Sequence, residues 1–152
     1  MIKPVNKVEP VGVAHVDVLA ALHQQCFKEA WSSDAFSSLL VTPGTSAFIA
    51  TKANTDSPLG FILLRAVVGE AEILSIGVIP EARSSGVGGL LMKEAALLVD
   101  IQTLFLDVAA DNESALRLYH REGFEVVGRR VGYYARGTGV PVDSLTMRRD
   151  LG

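Results

Sequence analysis

The spacing of apolar positions along this chain changes several times between the two-residue period of a strand and the 3.6-residue period of a helix. Apolar runs bounded by turn residues predict strands at Lys7–Val11, Ser46–Lys52, Leu59–Val68, Glu70–Ile79, Thr103–Ala109, Phe124–Tyr134 and Ser144–Arg149. Apolar positions that recur every three or four residues predict helices at His15–Phe27, Ser33–Leu40, Leu90–Val99 and Asn112–Arg121. This order predicts a single mixed α/β domain over residues 1–152.

Two features of the central strands bear on function. Only short turns separate Ser46–Lys52, Leu59–Val68 and Glu70–Ile79, which predicts an antiparallel meander. Gly77 lies inside the last of these strands, and a lone glycine there indicates a bulge or the close approach of another group. A bulge at Gly77 would leave main-chain groups available to a ligand.

A glycine-dense turn, Arg83–Gly89, separates that strand from the helix predicted at Leu90–Val99. Each glycine in a first helical turn costs about 1 kcal/mol relative to alanine, so Gly86, Gly88 and Gly89 need a backbone reason. No carboxylate occurs from Ser85 through Lys93, although first turns usually attract Asp or Glu to the positive end of the helix dipole. The turn therefore suits a bound phosphate.

Two common nucleotide motifs do not fit this turn. A dinucleotide fingerprint needs a third glycine where Leu91 stands, and a P-loop needs Lys-Ser/Thr where Leu90 and Leu91 follow Gly89. The remaining pattern is Arg83-x-x-Gly86-x-Gly88, placed after a strand with an internal glycine. It resembles the pyrophosphate loop of the GNAT superfamily of acetyl-CoA-dependent N-acetyltransferases.

The resemblance implies a GNAT fold and a cofactor site. The implied sheet is mixed, mostly antiparallel, of about seven strands, splayed at a bulged fourth strand and flanked by about four helices. A later run, Asp107 to Tyr119 followed by Glu122-Gly123-Phe124, supplies the Asn and Tyr of that family. The residues then expected to bind acetyl-CoA are Ile76, Gly77, Val78, Arg83, Ser84, Ser85, Gly86, Val87, Gly88, Gly89, Asn112, Ala115 and Tyr119.

The resemblance also implies direct attack of a neutral amine on the acetyl thioester, with no acetyl-enzyme and no metal. Asp107 is the expected general base, although it stands where the family usually has the longer Glu. An α-amino group has a pKa of about 7.7–8.0 against about 10.4 for lysine, so an aspartate acting through a water suits an N-terminal acceptor better. Tyr119 is the expected proton donor to the departing thiolate, and the Val78 N–H the expected oxyanion donor.

Two further motifs are Trp31-Ser32 and Arg129-Arg130 before Tyr133-Tyr134. Within the superfamily these motifs resemble those of the RimI-type ribosomal-protein-alanine N-acetyltransferases. This resemblance implies a ribosomal protein N-terminus as acceptor partner. The chain departs from the family pattern at Ser84, where many relatives have a phosphate-facing cation. The expected acceptor-binding residues are Trp31, Arg130, Tyr133 and Tyr134.

Composition and charge limit the other possibilities. The net charge of −3 disfavours sequence-specific nucleic-acid binding, and the chain has no membrane-length apolar run and no secretory h-region, which predicts a cytoplasmic protein. One cysteine, Cys26, precludes an internal disulfide and is interpreted as core filler. A monomer or weak homodimer is expected. Seven of the nine arginines lie in the last third: Arg117, Arg121, Arg129, Arg130, Arg136, Arg148 and Arg149.

Three other functions remain open from the sequence. A GNAT enzyme could acetylate a small amine such as a polyamine or an aminoglycoside. A non-catalytic module could bind acetyl-CoA, a reading that the Asp107 departure keeps open. The glycine turn could also be purely structural, in which case acetyl-CoA would not protect the protein in a thermal shift.

Overall fold

A computed structural model describes residues 6–98, 100–135, 137 and 139–152. Its strands are β1 (Lys7–Val11), β2 (Thr45–Thr51), β3 (Pro58–Val67), β4 (Glu70–Val78), β5 (Thr103–Ala109), β6 (Glu125–Tyr134) and β7 (Val142–Asp150). Its α-helices are α1 (Val16–Cys26), α2 (Ser33–Leu40), α3 (Val87–Ala96) and α4 (Glu113–Arg121). Single 3-10 turns at Val13–His15 and Pro80–Ala82 precede α1 and follow β4.

The described strands form one seven-stranded sheet in the order β1-β2-β3-β4-β5-β7-β6. Neighbouring strands are antiparallel except for β4 and β5, which are parallel and are connected through α3. The predicted α/β class, the antiparallel meander and the mostly antiparallel sheet with four flanking helices are confirmed.

Two apolar clusters hold the helices against opposite faces of the sheet. Helices α3 and α4 contribute Leu91, Met92 and Tyr119 to a cluster with inward residues of β2 to β5 and β7. Helices α1 and α2 contribute Leu19, Leu22 and Phe36 to a second cluster with residues of β2 and β3. Burial of Leu and Phe side chains stabilises the fold by about 1.5–3 kcal/mol each. Helices α1 and α2 pack on the β2–β4 half, so that face of β5 and β7 keeps polar side chains.

Helix α3 starts earlier than the apolar pattern predicts, at Val87 instead of Leu90. The predicted end at Val99 lies outside the described residues. Gly86 is the N-cap and has a left-handed backbone with φ of 89°, a conformation that glycine adopts at little cost. A Cβ on Gly88 would lie 3.0 Å from Leu118 Cδ2 in α4. One glycine of the turn therefore serves the packing of α3 against α4.

The bulge in β4 lies at Leu74, so the predicted bulge at Gly77 is wrong. Leu63 pairs with Ser75 while the next residue, Leu64, pairs with Ile73, which leaves Leu74 as the extra residue. Gly77 pairs in regular register with Phe61. A Cβ on Gly77 would lie 2.9 Å from the Cys26 sulfur, so this glycine permits the close approach of α1.

Candidate active site

The sheet opens where the bulged strand β4 parts from β5. The two strands pair only over Glu70–Ile73 and Thr103–Leu106, while the rest of β4 remains paired with β3 alone. The N–H of Ile79 donates to Leu59 in β3, and alternate residues of a strand present their main-chain groups to opposite edges. The N–H and C=O of Val78 therefore face the gap between β4 and β5.

The loop after β4 brings free N–H groups to the mouth of this gap. Ser84 and Gly86 both have positive φ, 63° and 89°, and reverse the chain direction before α3. The N–H of Leu90 makes the first helical bond, to Gly86 C=O. The preceding N–H groups of Val87, Gly88 and Gly89 are those that a helix leaves without internal partners. With no side-chain cap and no acidic residue in this first turn, α3 offers an anion-binding N-terminus.

The Arg83 side chain points back from this loop toward the end of β4. Its Nε donates to Val78 C=O at 3.0 Å. Burial raises the pKa of the Cys26 thiol, whereas the charge of the nearby Arg83 guanidinium acts in the opposite direction. Arg83 thus ties the loop to the end of β4, and the main-chain N–H groups at the start of α3 remain as the candidate cradle. Ser85 likewise supports the loop, donating its hydroxyl to Ala82 C=O.

Asn112 and Tyr119 lie at the start and near the end of α4, the helix that follows β5. Asn112 is the N-cap, and its Oδ1 accepts from the N–H of Ala115 at 3.2 Å. Tyr119 is 8% exposed, and its ring lies 6.0 Å from that of Phe124. Burial raises the pKa of Tyr119 to about 12, and the neighbouring Tyr134 adds to the rise. Both residues thus have structural roles that are compatible with their expected cofactor contacts.

Asp107 lies in a second cleft, on the polar face of β5. Its side chain is exposed, and its Oδ1 accepts a hydrogen bond of 2.7 Å from the Thr146 hydroxyl in β7. The cleft has a volume of about 310 Å³. It is lined by residues of five strands: Arg65, Val67, Glu70, Ala71, Glu72, Phe105, Leu106, Asp107, Arg130 and Thr146.

Of the expected acceptor-binding residues, the structure groups three on β6. The Arg130 guanidinium lies 5.1 Å from the ring centre of Tyr133, whose ring meets Tyr134 edge to face at 5.1 Å. Arg130 also lines the Asp107 cleft. Arg136 lies outside the described residues.

Asp143 in β7 fixes the irregular end of β6 near these residues. It accepts from the Gly132 N–H at 2.9 Å and from Arg129 at 2.7 Å. The Gly132 hydrogen bond chiefly holds the pKa of Asp143 below its usual range. The register of β6 against β7 shifts between Arg130 and Tyr134, so these two contacts stabilise a bulged segment.

Trp31, the fourth expected acceptor residue, packs away from this group, between α1 and α2. Its ring stacks on His23 at 4.8 Å between ring centres, and the main-chain N–H of Trp31 donates to His23 Nδ1 at 3.0 Å. His23 is 2% exposed, and burial lowers its pKa, so the imidazole is neutral and accepts through Nδ1. His23 thereby orders the α1–α2 connection.

A groove of about 580 Å³ runs from the N-terminus of α3 toward the end of α4. Its charged lining comprises Lys93, Arg121, Glu122, Arg149 and Asp150, of which Asp150 is already paired with Arg148 at 2.9 Å. The other four charged side chains, Lys93, Arg121, Glu122 and Arg149, together carry a net positive charge. Sequence reasoning missed Lys93, although its place two turns into the helix after the glycines was a usable signal.

Two absences concern only the part of the chain that the structure describes. Within it, no group of three or more His, Cys, Asp or Glu side chains is arranged to hold a metal ion. None of the helices described is both long enough and apolar enough to cross a membrane.

Comparison with known proteins assigns a family to this architecture. A family model described as acetyltransferase (GNAT) family matches residues 16–124. The N-alpha-acetyltransferase RimI of Mycobacterium tuberculosis is 35% identical over 153 positions, covering 95% of each chain. The [ribosomal protein bS18]-alanine N-acetyltransferase of Haemophilus influenzae is 28% identical, covering 85% of this chain and 88% of that protein. The crystal structure of the ribosomal-protein-S18-alanine N-acetyltransferase from Escherichia coli superposes with a TM-score of 0.85 at 24% identity, covering 97% and 95%.

Proposed function

The chain belongs to the GNAT family of acetyltransferases, and on that premise we propose that it transfers the acetyl group of acetyl-CoA to a protein N-terminus, the N-terminal alanine of a ribosomal protein. One observation carries the proposal: the gap between β4 and β5 has free N–H groups at one end and a carboxylate, Asp107, beyond the last β4–β5 pair. Such a gap can hold a thioester between an anion cradle and a base. The proposed location is the cytoplasm.

The residues present fit acetyl-CoA. The N–H groups of Val87, Gly88 and Gly89 match a pyrophosphate, and the outward main chain of Ile76 matches an amide of the pantetheine arm. The Val78 C=O accepts from Arg83, which leaves the Val78 N–H for the acetyl oxygen. The positive groove with Lys93 leads away from the same helix end and suits the phosphorylated adenosine. Acetyl-CoA supplies the activated acetyl group, and these side chains and amides orient it.

Asp107 and Tyr119 have different roles in the proposed reaction. Asp107 takes one proton, through a water, from the acceptor ammonium, and the neutral amine that remains is the nucleophile. Acetyl-CoA would supply the acetyl carbon to which the amine nitrogen bonds, and the Val78 N–H would donate to the oxygen that becomes negative. As the carbon–sulfur bond breaks, the second proton that the nitrogen loses would go to the departing sulfur, so that the products are an N-acetyl amide and a thiol. A tyrosine with a pKa of about 12 stays protonated, and full transfer of its proton to a thiolate of pKa about 8.5 costs about 5 kcal/mol. Tyr119 therefore acts as a hydrogen-bond donor to the departing sulfur.

The acceptor is tested with the purified protein and acetyl-CoA, by mass spectrometry of the products. Three acceptors are compared: an alanine-first ribosomal-protein peptide, the same peptide with a blocked N-terminus and an internal lysine, and a polyamine. We expect one acetyl group on the unblocked peptide alone, because its α-amine is the most easily deprotonated. Acetylation of the polyamine alone would favour a small-amine enzyme, and cofactor binding with no product would favour a non-catalytic module.

A further inference from the structure

The Asp107 carboxylate does not stand alone in its cleft. Asp107 and Thr146 are direct partners in the antiparallel β5–β7 pair, so their side chains lie on the same face of the sheet. The Thr146 hydroxyl donates to Oδ1 of Asp107 at 2.7 Å. One carboxylate oxygen is thereby engaged, and Oδ2 remains for a water or an amine.

On the other side of β7, strand β6 leaves the Thr146 hydroxyl accessible for its hydrogen bond to Asp107. Its β6 partner is Gly128, which has no side chain, and a Cβ there would lie 3.6 Å from the Cβ of Thr146. The β6 residue directly opposite therefore neither covers the threonine nor competes for its hydroxyl, and the β6 side chain that lines the same cleft is Arg130. The Asp107–Thr146 pair forms part of the cleft lining that an acceptor amine would enter.

We propose that Thr146 is a positioning residue that holds Oδ1 of Asp107, so that Oδ2 is presented to the proton of the acceptor ammonium. The inference rests on the proposed acetyl transfer. It addresses the short reach of an aspartate, because a carboxylate that acts through a water must be fixed in orientation for the water to bridge. Thr146 itself neither gains nor loses a proton in the cycle.

Threonine offers a matched set of variants for testing this role. Thr146→Val keeps the shape and β-branching but removes the donor, and Thr146→Ser keeps the donor but removes a methyl group. At pH 7 we expect Thr146→Val to lower kcat by about ten- to a hundredfold with the KM for acetyl-CoA unchanged, and Thr146→Ser to stay within about threefold of the parent. Thermal unfolding of each variant checks that the fold is retained.

Two further readouts separate positioning from mere packing. An α-amine with a pKa of about 7.7–8.0 is already neutral at pH 9.5, so the Thr146→Val deficit should shrink there to within about threefold. In a double-mutant cycle, Thr146→Val should cost nothing further once Asp107→Asn is present, because the threonine acts through that carboxylate.

Failure of the positioning role and failure of the proposed function would give different results. Full activity of Thr146→Val, a deficit that is independent of pH, or additive losses with Asp107→Asn would each overturn the positioning role while leaving the acetyltransferase activity intact. Absence of acetyl transfer by the parent protein to every amine tested would instead overturn the proposed function.

Discussion

The two ends of the proposed site are built from different parts of the polypeptide. The cofactor end, around Arg83–Gly89 and the end of β4, is formed by main-chain N–H groups whose positions depend on glycine and on positive φ angles. The acceptor end, around Asp107 and Thr146, is formed by side chains from five strands. Ligand binding by main-chain N–H groups depends on the local backbone, so most side-chain substitutions in the loop should leave it intact. Ligand binding in the acceptor cleft depends on which side chains the strand register brings together, so substitution of a lining residue should alter it.

Replacing Asp107 should give the largest difference between the effect on acceptor turnover and the effect on acetyl-CoA affinity. We expect Asp107→Asn to lower kcat/KM for the acceptor at pH 7 by at least about a hundredfold, the usual contribution of a general base. Acetyl-CoA affinity, measured by calorimetry, should stay within about twofold. Glu72→Gln, which removes another exposed carboxylate of the same cleft, should cost less than about threefold, and Asp107→Glu should retain activity. A pH–rate profile that Asp107→Asn leaves unchanged would remove Asp107 from the mechanism.

Tyr119 belongs to the apolar core, and its burial should make the stability of the protein depend on pH above 10. Its pKa rises from 10 in the open chain to about 12 in the fold, so its stabilisation is complete below pH 10 and is lost as the pH passes from 10 to 12. We expect the parent to lose up to about 2.7 kcal/mol more unfolding free energy over this interval than Tyr119→Phe. Urea titrations at each pH measure the difference. Parallel loss in both proteins would mean that the Tyr119 hydroxyl is not buried.

Substitution of Gly86 should have the smallest effect of the three, and it should alter acetyl-CoA binding alone. Its φ of 89° costs alanine about 1–2 kcal/mol, and a Cβ there meets no atom within 4 Å, so the penalty is purely conformational. We expect Gly86→Ala to weaken acetyl-CoA binding by about three- to tenfold, with kcat little changed. Gly69→Ala is the matched control, because Gly69 has φ of 79°, also meets nothing within 4 Å, and lies in the β3–β4 turn. Equal acetyl-CoA affinities in the two variants would argue against the cradle.

Local signals account for what the sequence could predict. The bounds of α2 and β5 match the predictions because Ser32 caps one and polar turns flank the other. The predicted start of α3 is wrong because the helix runs through Gly88 and Gly89, of which Gly88 packs against Leu118. The family resemblance singles out Arg83–Gly89 as a candidate cofactor loop because glycines and their spacing are local.

The errors and omissions depend on pairing between distant strands. The bulge at Leu74 is set by the register of β3 against β4, which no single-strand pattern reveals. Thr146 meets Asp107 across 39 residues of sequence, and Gly128 leaves that threonine uncovered only because β6 takes the sheet edge. Arg83 was expected to face a phosphate, and its contact with Val78 C=O becomes visible only once the loop is folded back.

The parallel seam between β4 and β5 divides the sheet into two parts that are each continuous in sequence. Strands β1 to β4 form one part and β5 to β7 the other; four residue pairs join them within the sheet, and the apolar cluster under α3 and α4 spans both. If the two parts open as separate cooperative units, their amides have two different free energies of opening, which hydrogen exchange measures. A ligand that contacts β4, α3 and α4 binds only when both parts are folded. Bound ligand should therefore raise the free energy of opening of the amides in both parts to a common value.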